Sequence, residues 1–274
     1  MLKTLTLSAS GVPWMRKLAK RSFELPLFGR VIRHFAQHIL PRGERTWVRI
    51  EQGLGRGLWV KVEPYFEPGY LEGSPEPGVT ECLLEHLSEG DCFYDIGAHI
   101  GYYSLVAARR VGPQGYVVAV EPDPDNIETL RENTVKNHLG WVDIVAAAVW
   151  NSVGEMNFEK GADTPSRMAG RIVKDVTSSS APDDVLRCQA VTVDYLSSHH
   201  RPPNTVKIDV EGGEVEVLHG AQATLSKHRP MVLIEAHSVE AVPTLSEFLE
   251  LFGYTIRRLP ARAGNVHVCC EPPA

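Results

Sequence analysis

From Val79 onward the sequence alternates short apolar runs with stretches of helical periodicity, and this alternation limits the fold more than any other feature. Apolar runs such as Cys92–Ile96 and Tyr116–Glu121 show no polar alternation, which is typical of strands covered on both faces. Strands that alternate with helices predict an α/β fold, a mostly parallel sheet with helices on both sides. The last two runs, Tyr254–Leu259 and Asn265–Cys270, are joined by only a few residues, so they must be antiparallel.

The remaining patterns fill in this alternation. Asp123 is expected to cap one helix, with Pro124 in its first turn. The other predicted elements are helix Thr80–Leu87, a helix from Tyr102 that Gly112 ends, strand Val142–Ala147, strand Thr205–Asp209, a helix through Leu218, strand Met231–Ala236 and helix Thr244–Leu251. Residues 150–200 are less regular, and 177–184 (TSSSAPDD) are expected to form a loop.

Positive charge is concentrated at the start of the chain. Residues 1–42 carry eight Lys and Arg against one acid, a net charge of +7 in a chain of net charge −6, which leaves −13 for the rest. A neutral-to-acidic main body argues against nucleic acid as the substrate of the core, because phosphate binding needs a basic surface.

The N-terminal part also differs in its structural pattern. Apolar residues at helical spacing from Phe28 to Ile39 predict a basic amphipathic helix, and two β-type runs, Thr46–Glu51 and Leu58–Glu63, predict a hairpin. We therefore expect an N-terminal segment over 1–78 and a main domain over 79–274. The helix either packs on its own domain or offers residues 12–40 to a second copy in a homodimer, to a carrier protein or to a membrane surface.

The cysteines and the hydropathy suggest where the protein resides. The five cysteines form no CxxC pair and no metal-ligand spacing, which favours reduced thiols. No apolar run approaches 18 residues, and the first residues include none of the length of a signal peptide. These features predict a cytoplasmic protein without a transmembrane segment.

The first chemical signal is Tyr94–Gly101 (YDIGAHIG), which ends one strand and opens a helix. Nucleotide-type cofactors bind at this position in α/β sheets. Gly97 allows the tight turn, and Gly101 lets the helix approach the strand closely. Asp95 places a carboxylate at the edge of the site, where it would repel a pyrophosphate and attract a cofactor that carries an ammonium and a sulfonium.

A second acidic residue, Glu121, ends the next strand about 20 residues further on. A carboxylate at this position can accept hydrogen bonds from both hydroxyls of a ribose. A solvated acid at a strand end is the ordinary explanation of an isolated Glu. Its spacing from the glycine turn makes that explanation less favourable here.

The third signal follows two later strands. The run Val206–Glu214 (VKIDVEGGE) places Asp209 and Glu211 in the cleft above the sheet, and Glu235-Ala236-His237 ends the next strand. Asp209 is alternatively a helix N-cap, and His237 a buried, hydrogen-bonded imidazole.

Together these segments resemble the FkbM family of S-adenosylmethionine-dependent methyltransferases, over roughly Glu76–Leu259. The matching segments are Lys207–Ala221 (KIDVEGGEVEVLHGA), Asp95–Ser104 (DIGAHIGYYS), Ala119–Asn126 (AVEPDPDN), Ala146–Phe158 (AAAVWNSVGEMNF) and Thr192–Leu196 (TVDYL). One residue departs from the pattern, because the family usually has Asn where this chain has His99.

The resemblance implies a Rossmann-like class I methyltransferase fold, in which a seven-stranded, mostly parallel sheet has an antiparallel final strand. It implies S-adenosylmethionine as the cofactor and O-methylation of a small-molecule acceptor, a hydroxyl of a sugar or of a polyketide-like natural product. The cofactor residues that it implies are Asp95, Gly97, His99, Gly101, Glu121, Ala147 and Ala148.

An aliphatic hydroxyl is a poor nucleophile, so a base near the acceptor should accelerate transfer by roughly 10²–10⁴-fold. The candidates are Asp209 and His237, with Glu211 orienting the substrate. The acceptor is expected to contact the N-terminal segment, residues 160–185 and residues after strand ends.

Three alternatives stay open at this point. Asp209, Glu211 and either Glu235 or His237 could hold a Mg²⁺ that acidifies the hydroxyl, although we favour a metal-free reaction. A nicotinamide-dependent oxidoreductase is disfavoured by Asp95 and by the lack of a GxGxxG motif. A non-catalytic binding module is disfavoured because the cofactor and cleft residues are all present.

Overall fold

The structure is a computed structural model that describes residues 45–63, 70, 76–161, 170–173, 185–260 and 266–273. The predicted basic helix, the surface at residues 12–40 and the loop at 177–184 lie outside these residues. The described helices are α1 (Pro77–His86), α2 (Tyr102–Val111), α3 (Pro124–Lys136), α4 (Val193–His199), α5 (Glu214–His219), α6 (Gln222–His228) and α7 (Ala241–Glu250). None of them combines the length and the apolar character that crossing a bilayer requires.

Seven strands form the main sheet, in the order β12-β13-β11-β10-β3-β4-β5. They are β3 (Cys92–Ile96), β4 (Tyr116–Glu121), β5 (Val142–Ala146), β10 (Thr205–Ile208), β11 (Met231–Ala236), β12 (Thr255–Leu259) and β13 (Val266–Glu271). Strand β13 pairs antiparallel with both of its neighbours, and the other pairs in this sheet are parallel. The predicted fold class is therefore confirmed.

The central strands are mostly apolar because helices cover both faces of the sheet. Every residue of β3, β10 and β11 is buried. Side chains that alternate along β3 enter two separate apolar clusters, Tyr94 and Ile96 on one face and Phe93 on the other. Asp123 caps α3 as expected, since its side chain accepts a hydrogen bond of 2.8 Å from the amide of Asp125.

The region after residue 150, where the sequence pattern is less regular, contains strands that the sequence analysis did not predict. Strands β6 (Ala148–Val149), β7 (Gly154–Glu159), β8 (Arg171–Val173) and β9 (Val185–Val191) form a second sheet, in the order β6-β9-β7-β8. Most residues of these strands are partly exposed, so their sequences mix polar and apolar residues and lack the continuous apolar run of the central strands. The predicted strand Val142–Ala147 is present but ends one residue earlier, at Ala146, and Ala147 links it to β6 of the second sheet.

The predicted hairpin is present, with β1 (Thr46–Arg49) antiparallel to β2 (Trp59–Val62). It packs on α3, where the amides of Trp59 and Lys61 donate hydrogen bonds of 2.8 and 2.7 Å to the side chains of Asn137 and Asn133. The hairpin thus rests directly on the main domain. The domain boundary at residue 78 stays a prediction.

Candidate functional site

The sequence signals meet at one edge of the main sheet, where the parallel strands β3, β4, β10 and β11 end. Strand β3 continues through α2 to β4 on one side and pairs with β10 on the other. The direction in which the strand order progresses changes here, and α/β sheets bind their ligands in the crevice at such a point.

Two glycines shape the loop between β3 and α2. Gly97 has a φ of +79°, and a Cβ there would lie 1.8 Å from the carbonyl oxygen of Asp209. Gly101 has a φ of +86°, and its Cβ would lie 2.0 Å from Leu130 Cδ1. Only glycine satisfies both the left-handed backbone and the close approach. The predicted roles of a tight turn and close packing therefore agree with the geometry.

His99 lies in the same loop, also in the left-handed region, with a φ of +51°. Asn, Asp and His adopt this conformation more readily than other residues with a side chain. The replacement of the family's usual Asn by His99 therefore keeps the backbone that the loop needs. The amide of His99 donates a hydrogen bond of 2.9 Å to Glu121 Oε2, which ties the loop to the end of β4.

Glu121 is buried at the end of β4. Its Oε1 accepts hydrogen bonds from the amide of Asp123 at 3.0 Å and from the side chain of Asn126 at 3.3 Å. Burial raises the pKa of Glu121 to about 7, although these hydrogen bonds act in the opposite direction. Each carboxylate oxygen has two lone pairs, so the group retains acceptor capacity for a ribose.

Asp95 lies deeper than the sequence suggests, with only 1% of its surface exposed. Its Oδ2 accepts a hydrogen bond of 2.6 Å from Ser104, and its Oδ1 has no hydrogen-bond partner within the described part of the chain. Burial raises the pKa of Asp95, while the nearby charge of Lys207 lowers it. The carboxylate is therefore an under-satisfied acceptor beneath the glycine loop and not an open rim residue.

Ala147 and Ala148 connect β5 to β6 and are both buried. They lie beside Glu121, which pairs with Ala146 in the sheet. Their small side chains leave the backbone close to the end of β4, where the family resemblance implies a contact with the cofactor.

Lys207 is the residue that sequence reasoning leaves without a role. Its ammonium is almost completely buried and lies 2.8 Å from Asp209 Oδ2, 4.0 Å from Asp95 Oδ1 and 5.0 Å from the centre of the Tyr103 ring. Burial disfavours its charge, but Asp209 and Asp95 more than compensate and raise the pKa of Lys207. A charged residue inside an apolar strand, as in TVKI, is the signal that could have identified it.

His237 stands in a ring of carboxylates at the end of β11. Its Nδ1 lies 2.8 Å from Glu214 Oε1, and its Nε2 lies 3.3 Å from Glu211 Oε2, 3.6 Å from Asp209 Oδ1 and 3.8 Å from Glu235 Oε1. Burial opposes protonation, but the hydrogen bonds to Glu211 and Glu214 outweigh it and raise the pKa of His237 to about 11. These contacts favour the protonated, imidazolium form of His237.

The turn that follows β10 positions Glu211 and Glu214, two of the carboxylates around His237. Glu211 has a φ of +55°, a strained conformation for a residue with a long side chain. Glu214 is buried in the first turn of α5, as expected from its charge, and also accepts a hydrogen bond of 3.0 Å from the amide of Gly212. Asp209, Glu211 and His237 each offer a ligand atom within 4.8 Å of the others. A protonated His237 has no lone pair to offer a metal, so Mg²⁺ could bind at these three residues only if the ring lost its proton.

A second set of buried ionisable residues lies next to Glu235, one of the carboxylates around His237. His267 Nε2 lies between Glu76 Oε1 at 3.0 Å and Glu235 Oε2 at 3.3 Å, and Tyr103 donates a hydrogen bond of 2.7 Å to Glu76. Burial disfavours the charged ring, but the nearby carboxylates of Glu235 and Glu76 outweigh it and raise the pKa of His267 to about 9. These residues lie far apart in sequence, so no local motif identifies them.

A pocket of about 390 Å³ opens beside Glu211, one of the carboxylates around His237. Its volume lies within the usual range for small-molecule sites. Its lining residues are Trp150, Arg171, Ile172, Val173, Glu211, Gly212 and Gly213. Arg171 pairs with Glu159, its Nη2 lying 3.1 Å from the carboxylate. The pocket includes part of the 160–185 region in which acceptor contacts are expected.

Comparisons with known proteins now decide the family. A model of the methyltransferase FkbM domain matches residues 95–256. The hexuronic acid methyltransferase AglP of Haloferax volcanii is 30% identical over 209 residues, which are 71% of this chain and 80% of AglP. This chain belongs to the FkbM methyltransferase family.

The fold comparison agrees with this assignment. The methyltransferase FkbM from Methylobacillus flagellatus KT superposes with a TM-score of 0.50 at 18% identity, over 68% of this chain. The superposed part is 44% of that chain, less than half of its length. An FkbM methyltransferase is an S-adenosylmethionine-dependent enzyme, and the nicotinamide alternative finds no support in these comparisons.

The described residues of this FkbM protein fit S-adenosylmethionine. Gly97 and Gly101 keep the loop free of side chains, as a closely approaching ligand requires. Glu121 provides acceptors for ribose hydroxyls at the end of β4, and Asp95 provides a buried acceptor without a hydrogen bond at Oδ1. These remain predicted contacts, since each is inferred from the shape and chemistry of the site.

Proposed function

We propose that this enzyme methylates a hydroxyl group of a sugar, with Asp209 accepting the proton of that hydroxyl. When bound, S-adenosylmethionine supplies an electrophilic methyl group on a sulfonium. The observation that carries the proposal is the contact between Asp209 and the cofactor loop, because its carbonyl oxygen lies where a Cβ of Gly97 would be. A hydroxyl hydrogen-bonded to Asp209 would therefore lie next to the cofactor.

Two cationic side chains hold the Asp209 carboxylate in a fixed orientation. Lys207 holds Oδ2 at 2.8 Å from inside the sheet, and His237 lies 3.6 Å from Oδ1 on the cleft side. The side chain keeps a quarter of its surface exposed, so an acceptor hydroxyl can reach it. Fixed orientation matters because aligned reactants can lower the barrier by roughly 7–11 kcal/mol.

His237 is better suited to positioning than to proton abstraction. A ring that carries both protons has no lone pair to accept a third. Its charge is shared among Glu211, Glu214 and Asp209, which fixes the relative positions of these carboxylates. We assign His237 to holding this arrangement and Glu211, which also lines the pocket, to orienting the substrate.

The sugar is supported by the relative and by the pocket. AglP carries hexuronic acid in its name, and the pocket beside Glu211 contains the indole of Trp150. An aromatic ring combined with a few polar groups suits the mixed apolar and hydroxylated faces of a sugar. A hexuronic acid offers hydroxyl and carboxyl oxygens, and a carboxylate acceptor would be repelled by Asp209 and Glu211.

The test is the Asp209→Asn variant, assayed with hexuronate-containing glycans as acceptors. We expect turnover to fall by about 10²–10⁴-fold while cofactor affinity changes by less than about tenfold, because only the base is lost. Glu128→Gln, an acid-to-amide change on the exposed side of α3, is the matched control. Thermal unfolding of both variants shows whether the fold stays stable when Lys207 loses the charge of Asp209.

The product distinguishes the two acceptor groups. Methylation of a hydroxyl gives an ether that survives mild alkali, whereas methylation of a carboxyl gives an ester that alkali hydrolyses. An alkali-labile product would contradict the hydroxyl assignment. Equal losses of turnover and cofactor affinity in Asp209→Asn would show that Asp209 shapes the site without acting as the base.

A further inference from the structure

Two cysteines that are distant in sequence meet on the face of the sheet covered by α1. Cys82 and His86 lie one turn apart on α1, and Cys269 lies on β13. Their three ligand atoms lie within 4.8 Å of one another. We refer to Cys82, His86 and Cys269 as the thiol–imidazole cluster.

Helix geometry brings the first two residues together, because side chains at i and i+4 share one face of a helix. Cys82 Sγ lies 3.8 Å from His86 Nδ1. In a tetrahedral zinc site with bonds of 2.3 Å to sulfur and 2.0–2.1 Å to nitrogen, the ligand atoms lie about 3.5–3.8 Å apart. The three ligand atoms of the cluster lie within 4.8 Å of one another, about 1 Å beyond this spacing, so modest side-chain movements would let them enclose a zinc ion.

The imidazole is already oriented for such a role. His86 Nδ1 lies 2.9 Å from the carbonyl oxygen of Cys82, and Nε2 lies 3.7 Å from Glu271 Oε1. A histidine that binds a metal through one nitrogen usually donates the proton of the other to a carbonyl or carboxylate. With Nδ1 protonated, Nε2 would bind the metal beside a carboxylate that can serve as a fourth ligand.

We propose that Cys82, His86 and Cys269 bind a zinc ion, with Glu271 or water as the fourth ligand, and that this ion fastens α1 to β13. A ligand set of two thiolates and an imidazole favours zinc over magnesium or calcium. Cys82 and Cys269 are buried, whereas His86 and Glu271 keep 23% and 46% of their side chains exposed. The ion can therefore enter from the solvent side.

The charges around the cluster are compatible with bound thiolates. Arg257 Nη2 lies 3.9 Å from Cys269 Sγ and 3.0 Å from Glu85. On binding zinc, both cysteines would release their thiol protons to solvent.

The site is separate from the methyl-transfer cleft. Cys269 pairs with Leu233 in the sheet, two residues before Glu235, so it lies about 7 Å along the strand from the edge where the cleft opens. The role is structural, since the cluster joins the helix that precedes β3 to the last strand. Loss of the ion should lower stability and leave cofactor binding intact.

The experiment uses the full chain, reduced and freed of metal with a chelator, then titrated with Co²⁺ and with Zn²⁺. Cobalt bound by thiolates in a tetrahedral site gives intense visible bands and a sulfur-to-metal charge-transfer band. We expect one equivalent to bind, to be displaced by Zn²⁺, and to raise the melting temperature. Cys269→Ser should weaken binding by about 100-fold or more.

Cys188→Ser is the matched control, because Cys188 lies on β9 in the other sheet. It should leave the cobalt spectrum and the zinc affinity unchanged. A cobalt spectrum without thiolate bands, or equal binding in Cys269→Ser, would overturn the proposal. So would an air-isolated chain in which only three of its five cysteines react as free thiols because Cys82 and Cys269 form a disulfide. Calorimetry with S-adenosylhomocysteine keeps this outcome distinct from a failure of the proposed function.

Discussion

The carboxylates in the two halves of the cleft differ in their surroundings, because those in one half are buried and those in the other are paired with cations. We call the ends of β3 and β4 the cofactor half and the ends of β10 and β11 the acceptor half, after the ligands that we propose for them. The cofactor half contains Asp95 and Glu121, and burial raises the pKa of both. The acceptor half, at the ends of β10 and β11, keeps its acids next to buried or half-buried cations, with Lys207 at 2.8 Å from Asp209 and His237 at 2.8 Å from Glu214.

The difference indicates how each half prepares for its ligand. In the cofactor half the acids pay a desolvation cost that a ligand with hydroxyl and ammonium donors can relieve. In the acceptor half the charges are already paired, so the carboxylates are fixed in place before a substrate arrives. Lys207 touches both halves, since its ammonium also lies 4.0 Å from Asp95.

Replacement of Lys207 by Met should have the largest effect. It leaves Asp95 and Asp209 without their shared cation, and breaking a buried ion pair costs about 3–5 kcal/mol of unfolding free energy. Denaturant unfolding measures this loss. Lys61→Met, which removes a partly exposed pair with Glu132, should cost at most about 1 kcal/mol. Similar losses in the two variants would mean that Lys207 does not connect the halves.

Gly97→Ala tests whether the cofactor half depends on backbone shape. The new Cβ would overlap the carbonyl of Asp209 and would also strain a φ of +79°, so we expect a loss of roughly 3 kcal/mol and weakened cofactor binding. Gly140→Ala is the control, because a Cβ there meets no atom within 4 Å. Thermal unfolding and calorimetry should separate the two. Unchanged cofactor affinity in Gly97→Ala would contradict the assignment of this loop.

Glu121→Gln tests the desolvation cost directly. A carboxyl whose pKa is raised from 4.5 to about 7 stabilises the fold fully below pH 4.5, and this contribution is lost as pH rises through about 7. Wild-type stability without ligand should therefore fall across this range by up to about 3 kcal/mol, and the variant should lack the fall. At pH 8 the variant should bind S-adenosylmethionine about 10- to 100-fold more weakly, since hydrogen bonds to a charged group are lost. Equal pH dependence in both proteins would refute this account.

The smallest effect is expected from magnesium. The prediction assumes that His237 keeps its proton between Asp209 and Glu211 and therefore does not bind a metal. Adding Mg²⁺ to chelator-treated enzyme should then change turnover by less than about twofold, because the reaction would use no metal-activated hydroxyl. Initial rates with and without the ion measure this. Restoration of lost activity by Mg²⁺ would instead favour the metal-assisted alternative.

Sequence reasoning was most successful where local patterns carry the information. The glycine turn at Gly97, the acid that ends β4 and the alternation of strands and helices follow from spacing and hydrophobicity. It was least successful for the second sheet, because half-exposed strands lack a continuous apolar run. The sequence also indicates a cleft role for His237, but its protonation depends on Glu214 and Glu211, whose distances from it no spacing reveals.

The sequence by itself determined the fold class and the family, because both depend on patterns within short segments of the chain. Only the tertiary structure decided which side chains meet. Lys207 connects Asp95 to Asp209 because β10 pairs with β3, and Cys269 approaches Cys82 because β13 packs under α1. Such contacts follow from strand pairing and burial, which join residues that are more than 100 positions apart.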